Sequence, residues 1–420
     1  MNAEVLVIGD EILIGQTIDT NSGWIAARLT EHNIQTRSIR VLPDGEEQIL
    51  QALEAASKRS DLVLLTGGLG PTRDDVTKQT LSRFFQSPLK MDDLVLQHIE
   101  RIFERSGRPL LPVNIQQAEV LELSEVLFNE AGTAPGMWIE YHDTIFVVMP
   151  GVPSEMKYLM DHEVIPRLRQ RRPSGRMLRH AHLLTSGIGE SFLAELIKPI
   201  ELGLPDYIHL AYLPSFSQVR LRLSAEGVNQ ALLDEELDIY VQRMKEVIGV
   251  HVVNEDRRSL EETVLDEMRS SGLRLAVAES CSGGMLSHLL TRIPGSSEVF
   301  LGGVIAYSND LKVRFLDVSR ETLQREGAVS EQTALEMARG ARRATGSDYA
   351  IAITGVAGPG GGSDEKPVGT VWIGIAGPNT SYAQLFRLGK RREDTIHRSS
   401  RQALFQLLKT IRAENQEKLK

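Results

Sequence analysis

A single cysteine, Cys281, stands in 420 residues. No internal disulfide can therefore staple the fold, and a disulfide-dense secreted scaffold is excluded. No apolar run approaches the roughly 18 residues that a transmembrane helix needs, so a soluble protein without a membrane partner is expected. Positive charge is in deficit: 47 lysines and arginines face 56 acids, a formal net charge of −9. That balance argues against broad adhesion to nucleic acid or to an anionic membrane, and no direct nucleic-acid binding is expected. Met1 to Gly9 lack the charged and apolar regions of a secretory signal, which makes a reducing cytoplasm the expected location. Histidines with metal-binding spacing are also missing: His162-Glu163 lacks the second histidine of a zinc-protease helix, and His180 and His182 alternate as on a strand.

What is present is an ordinary globular composition, 41% hydrophobic and 25% charged. The length exceeds what one core serves, so two or three domains are expected. Over residues 1–170, apolar strands (Val5 to Ile8, Gln35 to Leu42, Leu62 to Leu65, Thr144 to Val148) alternate with helical stretches. This is the pattern of a doubly wound α/β domain on a parallel sheet covered on both faces. A basic stretch with Pro173 and Gly175 marks a boundary. Residues 171–252 change class: Gln218 to Leu223 alternates polar and apolar like a half-exposed strand between two helical segments, which reads as a small α+β connector. Residues 253–420 return to α/β, with strands at Leu273 to Ala278, Gly303 to Tyr307, Tyr349 to Ile353, Gly369 to Ile375 and Tyr382 to Leu388.

Two turns at strand ends in the first domain carry chemistry. One is Gly9-Asp10-Glu11; the other is Gly67-Gly68-Leu69-Gly70-Pro71-Thr72 followed by Asp74-Asp75. Glycines between a strand and a helix expose amides beside the positive end of a helix dipole, which suits phosphate, so Gly67, Gly68, Gly70 and Thr72 are candidate substrate contacts. The neighbouring carboxylates suit a divalent metal bridging protein and phosphate oxygens; chemistry nominates Asp10, Glu11, Asp74 and Asp75. Alternatively the glycines only make a tight turn, and Asp74 and Asp75 charge the first turn of a helix.

In the last domain, Ala278-Glu279-Ser280-Cys281-Ser282-Gly283-Gly284 is followed by Tyr307-Ser308-Asn309 and Lys312. Amide hydrolysis needs an activated nucleophile, oxyanion donors and a proton for departing ammonia. Ser280 can attack, a neutral Lys312 can take its proton, Tyr307 can orient that lysine or relay the proton, and Gly283 and Gly284 can offer their amides. Cys281 competes as nucleophile, and a serine here can equally serve as a helix N-cap. The run from Gly355 to Thr370 offers amides at Gly361 and Gly362 and side-chain donors at Ser363 and Lys366 for a phosphate, or a plain hairpin connection. Thr354 is a further contact candidate at a strand end.

These strings resemble a known family. Gly9-Asp10-Glu11-Ile12-Leu13-x-Gly15 and Gly67-Gly68-Leu69-Gly70-Pro71-Thr72-x-Asp74-Asp75 resemble the molybdopterin-binding domain as it occurs in CinA proteins. Asn114 with Gln117, Gly132 to Gly136 and Pro150-Gly151-Val152-Pro153 belong to the same resemblance. It implies a metal-dependent ADP-ribose pyrophosphatase, with Asp44 and Asp75 at functional aspartate positions. The segment Ser186-Gly187-Ile188-Gly189-Glu190-Ser191 is similar to the KH-like linker, although Gly187-Ile188-Gly189 lacks the Gly-x-x-Gly spacing of nucleic-acid-binding KH loops. Ala278-Glu279-Ser280-Cys281, Gly295-Ser296-Ser297, Tyr307-Ser308-Asn309, Gly327-Ala328-Val329-Ser330 and Gly358-Pro359-x-Gly361-Gly362-Ser363 look like the CinA carboxy-terminal domain. Relatives of that domain deamidate nicotinamide mononucleotide, which implies Ser280 and Lys312 as the catalytic pair and no cofactor; Arg392 falls near the family's phosphate-binding arginine. Ser282 stands where the family usually has threonine. The resemblance favours a homodimer. Two other readings of the sequence stay open: a non-catalytic nucleotide- or molybdopterin-binding accessory protein linked to competence or DNA damage, and a molybdopterin transferase in the first domain.

Overall fold

A computed structural model describes residues 1–32, 34–70, 76–171 and 177–418. The chain divides into two compact units, Met1–Gly175 and Arg176–Lys420.

The first unit is built on β1 (Asn2–Ile8), β2 (Gln35–Leu42) and β3 (Leu62–Thr66), a short pair β4 (Leu89–Met91) and β5 (Glu119–Leu121), then β6 (Glu125–Leu127), β7 (Gly136–Tyr141) and β8 (Thr144–Met149). The main sheet has the order β2-β1-β3-β8-β7-β6. Its first four strands are parallel, and β7 and β6 add an antiparallel edge. Period-two side chains explain the continuous apolar runs. Val5, Leu64 and Val147 enter the core on one face, while Leu6, Val63 and Phe146 enter the core on the other. The last helix of the unit is interrupted by a π turn at Met160–Val164, just before Pro166, whose missing N–H removes one rung of the α ladder.

The second unit opens with an antiparallel sheet of β9 (Met177–Ser186), β10 (Ile208–Ser215), β11 (Gln218–Gly227) and β12 (Val252–Asn254), ordered β10-β11-β9-β12. Val219, Leu221 and Leu223 pack with residues of the helices Glu190–Glu201 and Gln230–Ile248. A five-stranded sheet follows: β13 (Leu275–Glu279), β14 (Phe300–Ile305), β15 (Tyr349–Gly355), β16 (Thr370–Ala376) and β17 (Ser381–Arg387), in the order β14-β13-β15-β16-β17. The pairings of β13 with β14 and β15 are parallel, and those to β16 and β17 antiparallel. One face packs on the helices Leu260–Ser270 and Arg392–Lys418 through Val277, Ile351 and Ile373. The other, lined by Ala276, Ala278, Ala350 and Ala352, packs on the helix Glu331–Thr345; alanines let that helix approach closely. The carboxyl ends of β13, β14 and β15 therefore share one edge, and the loops leaving them meet there.

Candidate active site

Ser280 follows β13 directly, and its N–H donates to the carbonyl of Ile353 on β15 at 2.9 Å, which fixes the residue at the sheet edge. Lys312 lies on the helix Asn309–Leu316, whose N-cap Ser308 accepts from Leu311 N–H. The helix starts four residues after β14 ends, and Lys312 on its first turn returns its side chain to the end of β13. Lys312 Nζ is hydrogen-bonded to Ser280 Oγ at 3.0 Å and donates to the carbonyl of Ala306 at 2.8 Å. Lys312 is 1% exposed and Ser280 8%. Burial lowers the lysine's pKa from its ordinary value, because an ammonium loses solvation there with no carboxylate to replace it. The pair is thus a hydroxyl facing an amine biased towards its neutral, basic form.

The neighbouring cysteine is placed differently. Cys281 packs in the hydrophobic core, and burial pushes its thiol up to about 12, so a thiolate is disfavoured at neutral pH. Among the two nucleophile candidates, the geometry favours Ser280.

Four expected roles are corrected. Gly283 N–H donates to Ser280 O at 3.1 Å and Gly284 N–H to Glu279 Oε2 at 2.9 Å, so neither amide is available to an oxyanion. The two glycines serve the backbone instead, with φ of 61° and 102°, a region that favours glycine. Among the described residues of this turn, the amides of Cys281 and Ser282 donate to no other residue. Tyr307 does not orient the lysine; Ala306 O does, and Tyr307, 59% exposed, accepts from Arg392 Nη2 at 2.8 Å. Thr354 is buried, and its hydroxyl is spent on the carbonyl of Ala328 at 2.7 Å. Lys366 Nζ donates to Glu326 O at 2.7 Å, and its backbone N–H donates to Ser363 Oγ at 3.1 Å, closing the loop that holds Gly361 and Gly362 on itself. Arg392 also donates to Gly358 O at 2.9 Å, bringing the tyrosine, the arginine and the glycine-rich loop together.

One residue the motif reading passed over organises the turn. Glu279 is fully buried, and its carboxylate accepts from the N–H groups of Gly284, Leu286 and Ser287 and from Ser287 Oγ. It caps the helix Met285–Thr291, compensating orphan donors and the positive end of the dipole. An acid at a strand end, six residues before the start of a helix, was the available signal.

In the first unit, the loops after β1, β2, β3 and β8 surround a cleft of about 870 Å³ lined by Asp10, Glu11, Asp44, Gly67, Gly68 and Gly70 among others. Asp10 N–H donates to Asp44 Oδ2 at 2.9 Å and Asp44 N–H to Asp10 Oδ1 at 3.4 Å, so the two carboxylates stand side by side. Gly67 N–H continues the sheet to Met149 O at 3.1 Å and is not free for phosphate; Gly68 and Gly70 face the cleft. Thr72, Asp74 and Asp75 lie outside the described residues. Among the described residues no three acidic, histidine or cysteine side chains group to hold a metal. Two adjacent carboxylates with ligand phosphate oxygens are nonetheless a donor set that suits Mg²⁺.

The sequence comparisons agree with this division of sites. Residues 4–170 match the probable molybdopterin binding domain, residues 180–253 the damage-inducible protein CinA KH domain, and residues 257–411 the CinA C-terminal domain. A CinA-like protein of Flavobacterium psychrophilum is 42% identical over 98% of this chain and 99% of its own. The chain belongs to the CinA family. A second CinA-like protein, from Cytophaga hutchinsonii, is 43% identical over 94% of each chain. The solved structure of competence/damage inducible protein CihA from Agrobacterium tumefaciens is 42% identical, covering 36% of this chain and 92% of that one with a TM-score of 0.35. As a CinA family member with α/β domains, the protein is consistent with an enzyme. No helix among the described residues is long and apolar enough to cross a membrane.

Proposed function

We propose that the carboxy-terminal domain hydrolyses the carboxamide of nicotinamide mononucleotide to nicotinate mononucleotide and ammonia. The observation carrying this is the buried contact of 3.0 Å between Ser280 Oγ and Lys312 Nζ. In the first step Ser280 Oγ attacks the carboxamide carbon while the neutral Lys312 takes the hydroxyl proton, and the carbonyl π pair moves onto oxygen. The amides of Cys281 and Ser282, which follow the nucleophile in the chain, would receive that oxyanion, a contribution of roughly 10²–10³ in rate per donor. Collapse breaks the C–N bond, Lys312 returns the proton to the leaving nitrogen, and ammonia departs. Water then attacks the acyl-Ser280 ester with Lys312 again as base, releasing the carboxylic acid and restoring the hydroxyl. Arg392 and Tyr307, both exposed and hydrogen-bonded to each other, suit the substrate phosphate. Incubating the purified chain with nicotinamide mononucleotide and assaying ammonia tests the reading. Ser280→Ala is expected to lower the rate by at least about 10³-fold; wild-type release no higher than that of the variant overturns it and leaves ligand binding without turnover.

For the amino-terminal cleft the reading is hydrolysis of the diphosphate bond of ADP-ribose, supported by the adjacent carboxylates of Asp10 and Asp44 beside the Gly68 and Gly70 turn. These two residues would hold a divalent metal, which supplies charge neutralisation on the diphosphate. The chain's own part is to seat the phosphates on the turn. Assaying ADP-ribose against molybdopterin, with and without added divalent metal, distinguishes this from a molybdopterin transferase; Asp44→Asn is expected to lose ADP-ribose hydrolysis and keep ammonia release.

A further inference from the structure

Away from the Ser280 site, the second unit contains a cavity of about 440 Å³ between the β10-β11-β9 sheet and the helices of the carboxy-terminal domain. Its walls carry three guanidinium groups, Arg220, Arg292 and Arg401, against one carboxylate, Glu261. Arg220 is held in place by the carbonyls of Asp256 and Arg258. Arg401 Nε stands 3.5 Å from Glu261 Oε1, beyond good hydrogen-bond length. Several buried polar atoms have no hydrogen-bond partner: Gln218 Nε2, Arg401 Nη1 and Glu261 Oε1, although the last pairs in charge with Arg401, whose guanidinium also lies over the Phe216 ring. Gln218 is 8% exposed and Glu261 4%. The Arg292 guanidinium, exposed at one wall, also has no partner among the described residues. Buried polar atoms without partners are uncommon, and each calls for an explanation.

We propose that this cavity binds a small hydroxyl-bearing phosphate monoester. Gln218, Arg292 and Arg401 offer N–H donors that match phosphate oxygens, and Glu261 Oε1 accepts from a ligand hydroxyl. The surplus of two positive charges on the walls equals the charge of a phosphate monoester near neutral pH. A zwitterionic amino acid, with no net charge, would leave that surplus uncompensated. Leu213, Pro214 and Ile293 supply an apolar wall for the carbon skeleton. The site is independent of the amidase reading, since none of its residues touches Ser280 or Lys312.

The test is equilibrium dialysis of the full chain with glycerol 3-phosphate, with inorganic phosphate, glycerol and alanine as parallel probes. One saturable site for glycerol 3-phosphate is expected to weaken roughly tenfold or more in Arg292→Glu and in Gln218→Leu, with inorganic phosphate weaker in wild type and glycerol not retained. Arg292 is exposed, so its variant keeps the fold, and unchanged circular dichroism verifies this for both. Wild-type binding that neither variant changes places the phosphate elsewhere and overturns the proposal. So does an absence of saturable binding, or preferential binding of alanine.

Discussion

A protonated Lys312 would sit 1% exposed with a hydroxyl and a carbonyl as its hydrogen-bond partners among the described residues. Desolvation therefore sets the direction of its pKa, downward, and two pH effects follow. Ammonia release should rise with pH as the amine loses its proton, with the midpoint below the roughly 10.4 of an ordinary lysine. A pH–rate profile of kcat/KM reads this directly; a midpoint at the ordinary lysine value counts against Lys312 as the base. Stability follows the same titration. Below the unfolded lysine's pKa the unfolded chain holds a proton that the native chain binds less readily, so this residue's contribution improves as pH rises through the lowered value. Lys312→Met removes the titration and leaves a pH-independent cost at the Ala306 carbonyl. The variant's stability relative to wild type should accordingly be most favourable at low pH and decline as pH rises, measured by urea midpoints across pH. Ser282 gives a second residue-scale test, because its hydroxyl is buried without a partner. Ser282→Ala should be neutral or stabilising by up to ~1 kcal/mol, with kcat/KM reduced less than about tenfold, the cost of a weak contact. A larger kinetic loss at unchanged stability would make that hydroxyl a substrate ligand.

Elements hold Ser280 and Lys312 at their distance. The helix bearing Lys312 ends at Leu316, and Gly340 of the helix Glu331–Thr345 lies so close to it that an added Cβ would overlap the Leu316 carbonyl. In an exposed helix interior Gly→Ala gains about 1 kcal/mol. Here the sign should reverse, with Gly340→Ala costing ~1–3 kcal/mol as the two helices are forced apart and ammonia release falling as Lys312 withdraws; thermal melts and kcat measured together check both. A stabilised, fully active variant would show that the helix contact does not position the lysine. This contact also marks the limit of sequence reading. The run Leu62 to Leu65 announces itself because both of its faces are buried, and Gln218 to Leu223 because only one is. By contrast, β7 is hard to read from sequence: Gly136 to Tyr141 lacks clean alternation, and the Gly132 to Gly136 turn in front of it reads first as motif. At the site, Ser280 and Lys312 were legible as chemistry near strand ends. The amides of Gly283 and Gly284 read in the sequence as free, because neither the Ser280 carbonyl nor the Glu279 carboxylate that take them up shows there as an acceptor. A backbone carbonyl such as Ala306 O carries no sequence signal at all.

At the scale of the whole chain, each unit carries its own cores: the six-stranded sheet is packed on both faces within Met1–Gly175, where a small cluster around Val95, Ile99 and Ala118 also lies, and three further clusters belong to Arg176–Lys420. The second unit joins two sheets of different class, and specific bonds tie them. Arg412, near the end of the last helix, donates to the carbonyls of Val252 and Val253 at 2.7 Å and pairs with Glu267, while Leu184 of β9 enters the carboxy-terminal core. Separating the connector would strip these carbonyls of partners and expose Leu184, so the connector should unfold together with the domain that carries Ser280. Calorimetry is expected to show two transitions, although the family domains number three. A ligand at 100 times its Kd adds about 2.7 kcal/mol to whatever unit binds it. Nicotinamide mononucleotide, added to Ser280→Ala to prevent turnover, should therefore raise one transition only, and ADP-ribose without metal the other. Three transitions would refute the coupling through Arg412, and a single transition raised by both ligands would mean that the units unfold as one.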